Sequence, residues 1–154
     1  MEKQPTTLTT IAMLHEVANR PDHQNQAEAR RLLRASHEIT ALVRHIFDQN
    51  VEMGWYTDPE TGLRKERNTG DLFMLIVTEL AEGYEGFRKG LMDDHLPHRK
   101  MEEVELADAA IRIFDHAAYK GFDLGGAIIE KIIYNRHRAD HQLENRAKPG
   151  GKKL

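Results

Sequence analysis

Apolar residues recur at helical spacing in five stretches of the chain, and nowhere do they alternate long enough to require a sheet. The stretch TTLTTIAMLHEVANRPDH predicts a short helix behind a threonine cap. It stops at Asn19-Arg20-Pro21, because proline cannot continue the hydrogen-bond ladder. From about Gln26 to Met53, the positions Leu32, Leu33, Ile39, Leu42, Val43, Ile46, Phe47 and Val51 hold a helical period with no glycine or proline among them. GWYTDPETGLRKERNTGD follows and reads as a loop, since it gathers glycines and a proline between charged residues. A third helix is expected over Asp71–Lys89, with Leu72, Phe73, Ile76, Leu80, Tyr84 and Phe87 on one apolar face, Asp71 favouring the N-terminal dipole and Gly90 as the C-cap. A fourth runs from about Arg99 to Lys120, with Leu106, Ala110, Ile113, Phe114 and Ala117 on a face, and ends at Gly121. The last spans about Leu124 to Arg138 through Ile128, Ile129, Ile132 and Ile133, and AKPGGKKL reads as a flexible basic tail. The expected fold class is all-α, most simply a bundle.

At 154 residues and 40% hydrophobic content, one compact domain with a core is expected. The net charge of -3 gives no global bias toward nucleic acid or anionic membrane, so an anionic ligand must be held locally. Without cysteine, a disulfide framework, a thiolate zinc site and a cysteine nucleophile are all excluded. No window approaches a membrane span and the N-terminus lacks a secretory pattern, so a cytoplasmic location is expected.

In the third helix Glu79 falls at the edge of the apolar stripe and Glu82 lies one turn on. Glu105 and Asp108 form a matching pair in the fourth. Such pairs are common: with 25 acids in the chain, E-x-x-E-like spacings arise by chance about 4 times. Glu85, Glu102 and Glu103 accordingly read as solvated surface. The other four stand out because carboxylates at a buried edge repel one another and are costly to desolvate. Arg88 and Arg112 are the nearby helical cations, too few for four acids. Oxygen ligands at this density suit Mg²⁺ or Mn²⁺, and Mg²⁺ keeps open positions for phosphates.

Lys131, Asn135 and Arg138 fall at i, i+4 and i+7, one stripe that could hold phosphate: a fork, a point charge and a neutral amide. The histidines show no H-E-x-x-H or E-x-x-H spacing, which argues against zincin and di-iron sites.

Taken in order, GWYTD, MLIVTELAEGYEGFRKG, VELADAAIRIFDHAAYKGFDL, KIIYNRHR and GGKKL resemble the MazG-like all-α nucleoside triphosphate pyrophosphohydrolases over roughly residues 44–154. The family motif is E-x-x-E, a spacer, then E-x-x-D; here Glu79-x-x-Glu82 is followed after 22 residues by Glu105-x-x-Asp108. The resemblance implies that these four acids bind Mg²⁺. It further implies hydrolysis of an NTP or dNTP between the α- and β-phosphates, giving a monophosphate and pyrophosphate. Lys131, Asn135 and Arg138 match the family's K-x-x-x-N-x-x-R helix, which contacts the nucleotide in relatives, and Lys152 and Lys153 match its basic end. ADHQLENRAKPG intervenes before that end, where relatives commonly pass straight into it. On this reading residues 36–154 form the MazG-like domain and residues 1–35 an added helical extension.

Either Glu82 or Glu105 is left to orient or deprotonate water. Trp55 is the leading candidate for stacking the base, with a core anchor as its other reading, and Tyr56, Tyr84 and Tyr134 are further aromatics. Two rivals stand beside hydrolysis: a catalytically silent nucleotide sensor, and a nucleic-acid binder using ENRAKPGGKKL as a basic arm, which the negative body disfavours. The wide apolar face over Leu106–Ala118 predicts burial between protomers, hence a homodimer or homotetramer.

Overall fold

The computed structural model describes residues 7–21 and 24–152, and among them the chain is helical with no β-strand. The helices are α1 (Thr7–Ala18), α2 (Gln26–Glu52), α3 (Thr69–Lys89), α4 (Met101–Tyr119) and α5 (Leu124–His137), each within a few residues of its expected bounds. The threonine cap expected for the first helix lies outside the described residues. A 3₁₀ turn at Ala139–His141 and a short α6 (Leu143–Arg146) follow α5, ahead of the segment expected as a tail. No helix among the described residues is long and apolar enough to cross a membrane.

Two compact units form. One comprises the described residues up to Thr40 together with those from Asp123 on, and the other is Ala41–Phe122. In the first, Ala18, Ala29 and Leu33 are buried together with Ile11, Leu14 and Val17 against them. The carbonyl of Ala18, left orphaned at the end of α1, accepts from Gln26 Nε2 at 3.2 Å and Arg30 Nε at 3.0 Å, so side chains of α2 cap it. α5 starts at an Asp123 cap, whose carboxylate accepts the Gly126 N–H at 2.9 Å. It then runs close to α2: a Cβ on Gly125 would stand 2.4 Å from the Ser36 carbonyl oxygen.

The second unit is built on the α3–α4 pair. Asn68 caps α3 by accepting the Gly70 N–H at 2.8 Å, and Gly90 ends it in the left-handed region at φ 67°. The short connection to α4 is tied down by Asp93, which accepts the backbone N–H groups of His95 at 3.0 Å and Leu96 at 2.6 Å.

The buried stripe of α3 is Leu72, Ile76, Glu79, Gly83 and Gly86. Of the apolar face expected from the sequence, Leu72 and Ile76 are buried, but Phe73, Leu80, Tyr84 and Phe87 are exposed. Glycine decides the difference. With no side chain at 83 and 86, α4 settles on that side of α3, where a Cβ on Gly86 would lie 2.8 Å from Met101 Cβ and one on Gly83 would lie 3.2 Å from Glu105 Cβ. α4 turns with it, so Leu106 and Ile113 are exposed while Glu105, Ala109, Asp115, His116 and Ala117 are buried.

Candidate metal centre and the cavity beside it

Because the glycine side of α3 meets the acidic side of α4, carboxylates converge between the helices. Glu79, Glu105 and Asp108 each present an oxygen within 4.8 Å of the others, with Glu79 and Glu105 buried and Asp108 half-buried. Arg112 Nε donates to Glu79 Oε1 at 2.5 Å, the one cation hydrogen-bonded to the group among the described residues. Arg88 binds Glu85 instead, at 2.9 and 3.0 Å.

That leaves the group short of positive charge, and its titration reflects this. Burial, a hydrogen bond with Glu79, and the charges of Glu82, Glu79 and Asp108 push the Glu105 carboxyl from 4.5 up to about 7. Asp108 is raised by burial and by Glu79, against the lowering pull of Arg112. A hard divalent cation fits such a donor set: carboxylate oxygens at convergent spacing, in an environment that resists holding their negative charge alone.

Next to this group opens a cavity of about 420 Å³, lined by Asn50, Trp55, Arg67, Leu75, Asp108, Ile111, Arg112 and Asp115. Asp108 thus belongs both to the acid group and to the cavity wall. Leu75 and Ile111 are its apolar surfaces, Trp55 its aromatic edge. Asp115 is 6% exposed. Its Oδ2 accepts the Tyr56 hydroxyl at 2.8 Å, and its Oδ1 has no hydrogen-bond partner among the described residues. Tyr56 is itself wedged between Phe47, with ring centroids 5.0 Å apart, and Tyr119, at 5.4 Å.

Of the four acids singled out in the sequence, the structure brings Glu79, Glu105 and Asp108 together. Glu82 is exposed and stands outside the three-oxygen group, yet its charge reaches Glu105. Trp55 is 61% exposed, so it is not a core anchor; its neighbour Tyr56 is. Lys131, Asn135 and Arg138 belong to the other unit. There Lys131 Nζ sits 4.7 Å from the centre of the Tyr134 ring, and Arg138 lies 5.9 Å from the same ring. The Arg138 fork is taken by Asp140, with Nε–Oδ1 2.9 Å and Nη2–Oδ2 2.5 Å, and Lys152 Nζ lies 4.0 Å from Asp140 Oδ2. Asn135 Oδ1 is buried without a hydrogen-bond partner among the described residues. Lys153 lies outside the described residues.

Asp115, Asn50 and Arg67 line the cavity without having been singled out in the sequence. One signal was available: Asp115 is seven residues beyond Asp108, two turns along the same side of α4. His116 is buried edge-on against Phe73, with ring centroids 5.1 Å apart, and burial holds its pKa down.

No protein-family model, curated protein or solved structure matches the chain.

Proposed function

We propose that the protein is a Mg²⁺-dependent nucleoside triphosphate pyrophosphohydrolase of the MazG-like kind, acting in control of the nucleotide pool. The observation that carries this reading is the convergence of Glu79, Glu105 and Asp108 to within 4.8 Å beside a ring-sized cavity. Those three carboxylates would hold the cation, with Mn²⁺ as a substitute. A bound Mg²⁺ supplies neutralisation of the phosphate chain and a water of lowered pKa. The chain's own groups do the rest. Trp55, Leu75 and Ile111 enclose the base. Arg112, already at the edge of the acid group, offers a guanidinium to phosphate oxygens. Glu82, exposed and outside the group, is left to orient the attacking water and accept its proton. The oxygen of that water bonds to the α-phosphorus, the bond from the α-phosphorus to the bridging oxygen breaks, and pyrophosphate departs. Lys131, Asn135, Arg138, Lys152 and Lys153 are assigned to the nucleotide by the family resemblance alone.

The test is incubation with a panel of NTPs and dNTPs, with and without Mg²⁺, separating monophosphate, diphosphate, pyrophosphate and phosphate. Monophosphate and pyrophosphate in equal amounts, only with metal, and lost in Asp108→Asn, are expected. Metal and nucleotide binding without turnover across the panel would instead support a nucleotide sensor.

The active form is proposed to be a homodimer or a larger homo-oligomer. Phe73, Val77, Leu80, Tyr84 and Phe87 repeat along α3 at spacings of four and three, and all are exposed. A second copy of the chain would bury this seam, and light scattering with Tyr84→Glu tests it: the variant should be monomeric.

A further inference from the structure

We propose that the cavity selects nucleotides whose base carries an exocyclic amino group, and that Asp115 Oδ1 is the atom that reads it. This rests on the nucleotide reading above and names the substrate class within it.

The cavity, at about 420 Å³, falls within the range of roughly 300–1,000 Å³ typical of small-molecule sites. Its apolar walls and single tryptophan suit a flat heteroaromatic ring. Asp115 is one of its polar lining residues, with Asn50, Arg67, Asp108 and Arg112, and its hydrogen bonding is incomplete. A carboxylate oxygen can only accept, and one left buried without a donor carries its full desolvation penalty. Tyr56 serves Oδ2 at 2.8 Å, while Oδ1 has nothing. The two arginines lining the same cavity do not supply the missing donor: Arg112 is bound to Glu79, and Arg67 donates to the Trp55 carbonyl at 3.5 Å. A ligand with an N–H at that point completes the pair.

The bases differ in what they can offer. Cytosine, adenine and guanine each project an amino group beyond the ring, so an N–H reaches Oδ1 first. Uracil and thymine offer only the ring N3–H, set back between two carbonyl oxygens that would face the carboxylate and repel it. A site with one fixed acceptor therefore favours the amino bases, by at least about tenfold in affinity.

The chain's single tryptophan makes the test direct, because Trp55 gives one indole N–H resonance. The full chain, free of divalent metal, is titrated with deoxycytidine, deoxyadenosine, deoxyguanosine, deoxyuridine and thymidine while that resonance is followed in nitrogen–proton correlation spectra. At least one amino nucleoside should shift it at a concentration about tenfold below that needed for deoxyuridine or thymidine. In Asp115→Asn the amide oxygen keeps the Tyr56 bond and the NH₂ replaces the acceptor, so the order should invert toward deoxyuridine and thymidine. Equal shifts from amino and keto nucleosides, or no shift from any, would overturn the proposal. If the variant unfolds, the wild-type ranking alone decides. Since nucleosides carry no phosphate and the samples no metal, failure here is separable from failure of the hydrolysis reading, which the product assay judges by itself.

Discussion

Arg112 on α4 holds Glu79 on α3 through a 2.5 Å contact between Nε and Oε1, in a group where, among the described residues, Glu105 and Asp108 have no cation hydrogen-bonded to them. The arginine is half-exposed and the glutamate buried, so on the proposed reading the guanidinium supplies part of the charge that a metal ion would bring. Arg112→Gln should lower the stability of the metal-free protein by about 1–2 kcal/mol, the exposure of the arginine keeping the loss small. With saturating Mg²⁺ the loss should shrink, because the ion takes over the charge. Thermal melts with and without metal check this; an equal loss in both would show that the arginine acts independently of the site.

Glu105 gives a pH signature. Its folded value is raised from 4.5 to about 7, so the folded protein without metal holds a proton there that the unfolded chain has released. The stability tied to that proton is complete below about 4.5 and is lost as pH rises through about 7. Glu105→Gln has no such proton to lose. Its metal-free Tm relative to wild type should therefore climb between pH 5 and 7 and level off above about 7. Wild-type Mg²⁺ affinity should fall on the acid side of the same window, as the ligand must deprotonate, and calorimetry in buffers of different ionisation heat should register proton release.

At Gly86 the packing of α4 on α3 leaves no room for a side chain. A methyl there would meet Met101 Cβ at 2.8 Å and the Glu102 backbone nitrogen at 3.1 Å, and only the methionine has any freedom to move. Gly86→Ala should destabilise the protein by about 1–3 kcal/mol, despite alanine's better helix propensity, and should weaken Mg²⁺ binding as well. Chemical denaturation and metal titration of one variant report both effects. Weaker stability with unchanged metal affinity would break the link between helix spacing and the acid group.

Asp140 occupies the Arg138 fork with two hydrogen bonds, at 2.9 and 2.5 Å, and lies in the segment where this chain departs from the MazG-like pattern. If Arg138 serves phosphate, the two anions compete for it. Asp140→Ala should lower the KM for the nucleotide and leave kcat unchanged, and the gain should fade as salt is raised. A higher KM would mean that Asp140 positions the arginine.

Tyr56→Phe removes the one donor to Asp115 among the described residues and strands a second buried oxygen, with an expected loss of about 1–3 kcal/mol. Tyr56→Phe combined with Asp115→Leu should recover part of this, since no buried acceptor then remains. Urea denaturation of the single and double variants measures the coupling.

The helices were legible because long stretches repeat at one period and carry strong stop signals, such as Gly90 and Gly121. The acid pairs were legible because four carboxylates at stripe edges need an explanation. Which side of α3 would be covered was not. Phe73, Leu80, Tyr84 and Phe87 outweigh Gly83 and Gly86 in any count of hydrophobicity, yet the absence of side chains at the glycines admits α4, and a helical wheel assigns that absence no weight. Asp115 escaped for a different reason. Its meaning depends on Tyr56, 59 residues away in sequence, and a partner from a loop leaves no periodic trace.

The two glycines of α3 also act as a gauge. Glu79 and Glu105 project from separate helices, so the gap they can span follows the separation of two backbones, and that separation is fixed by residues 83 and 86, which contribute no ligand. Discrimination between a small and a large divalent ion would then reside in the helix axes rather than in the reach of any carboxylate. Adding one methyl group at either glycine should re-tune which ion is preferred without touching a single oxygen donor.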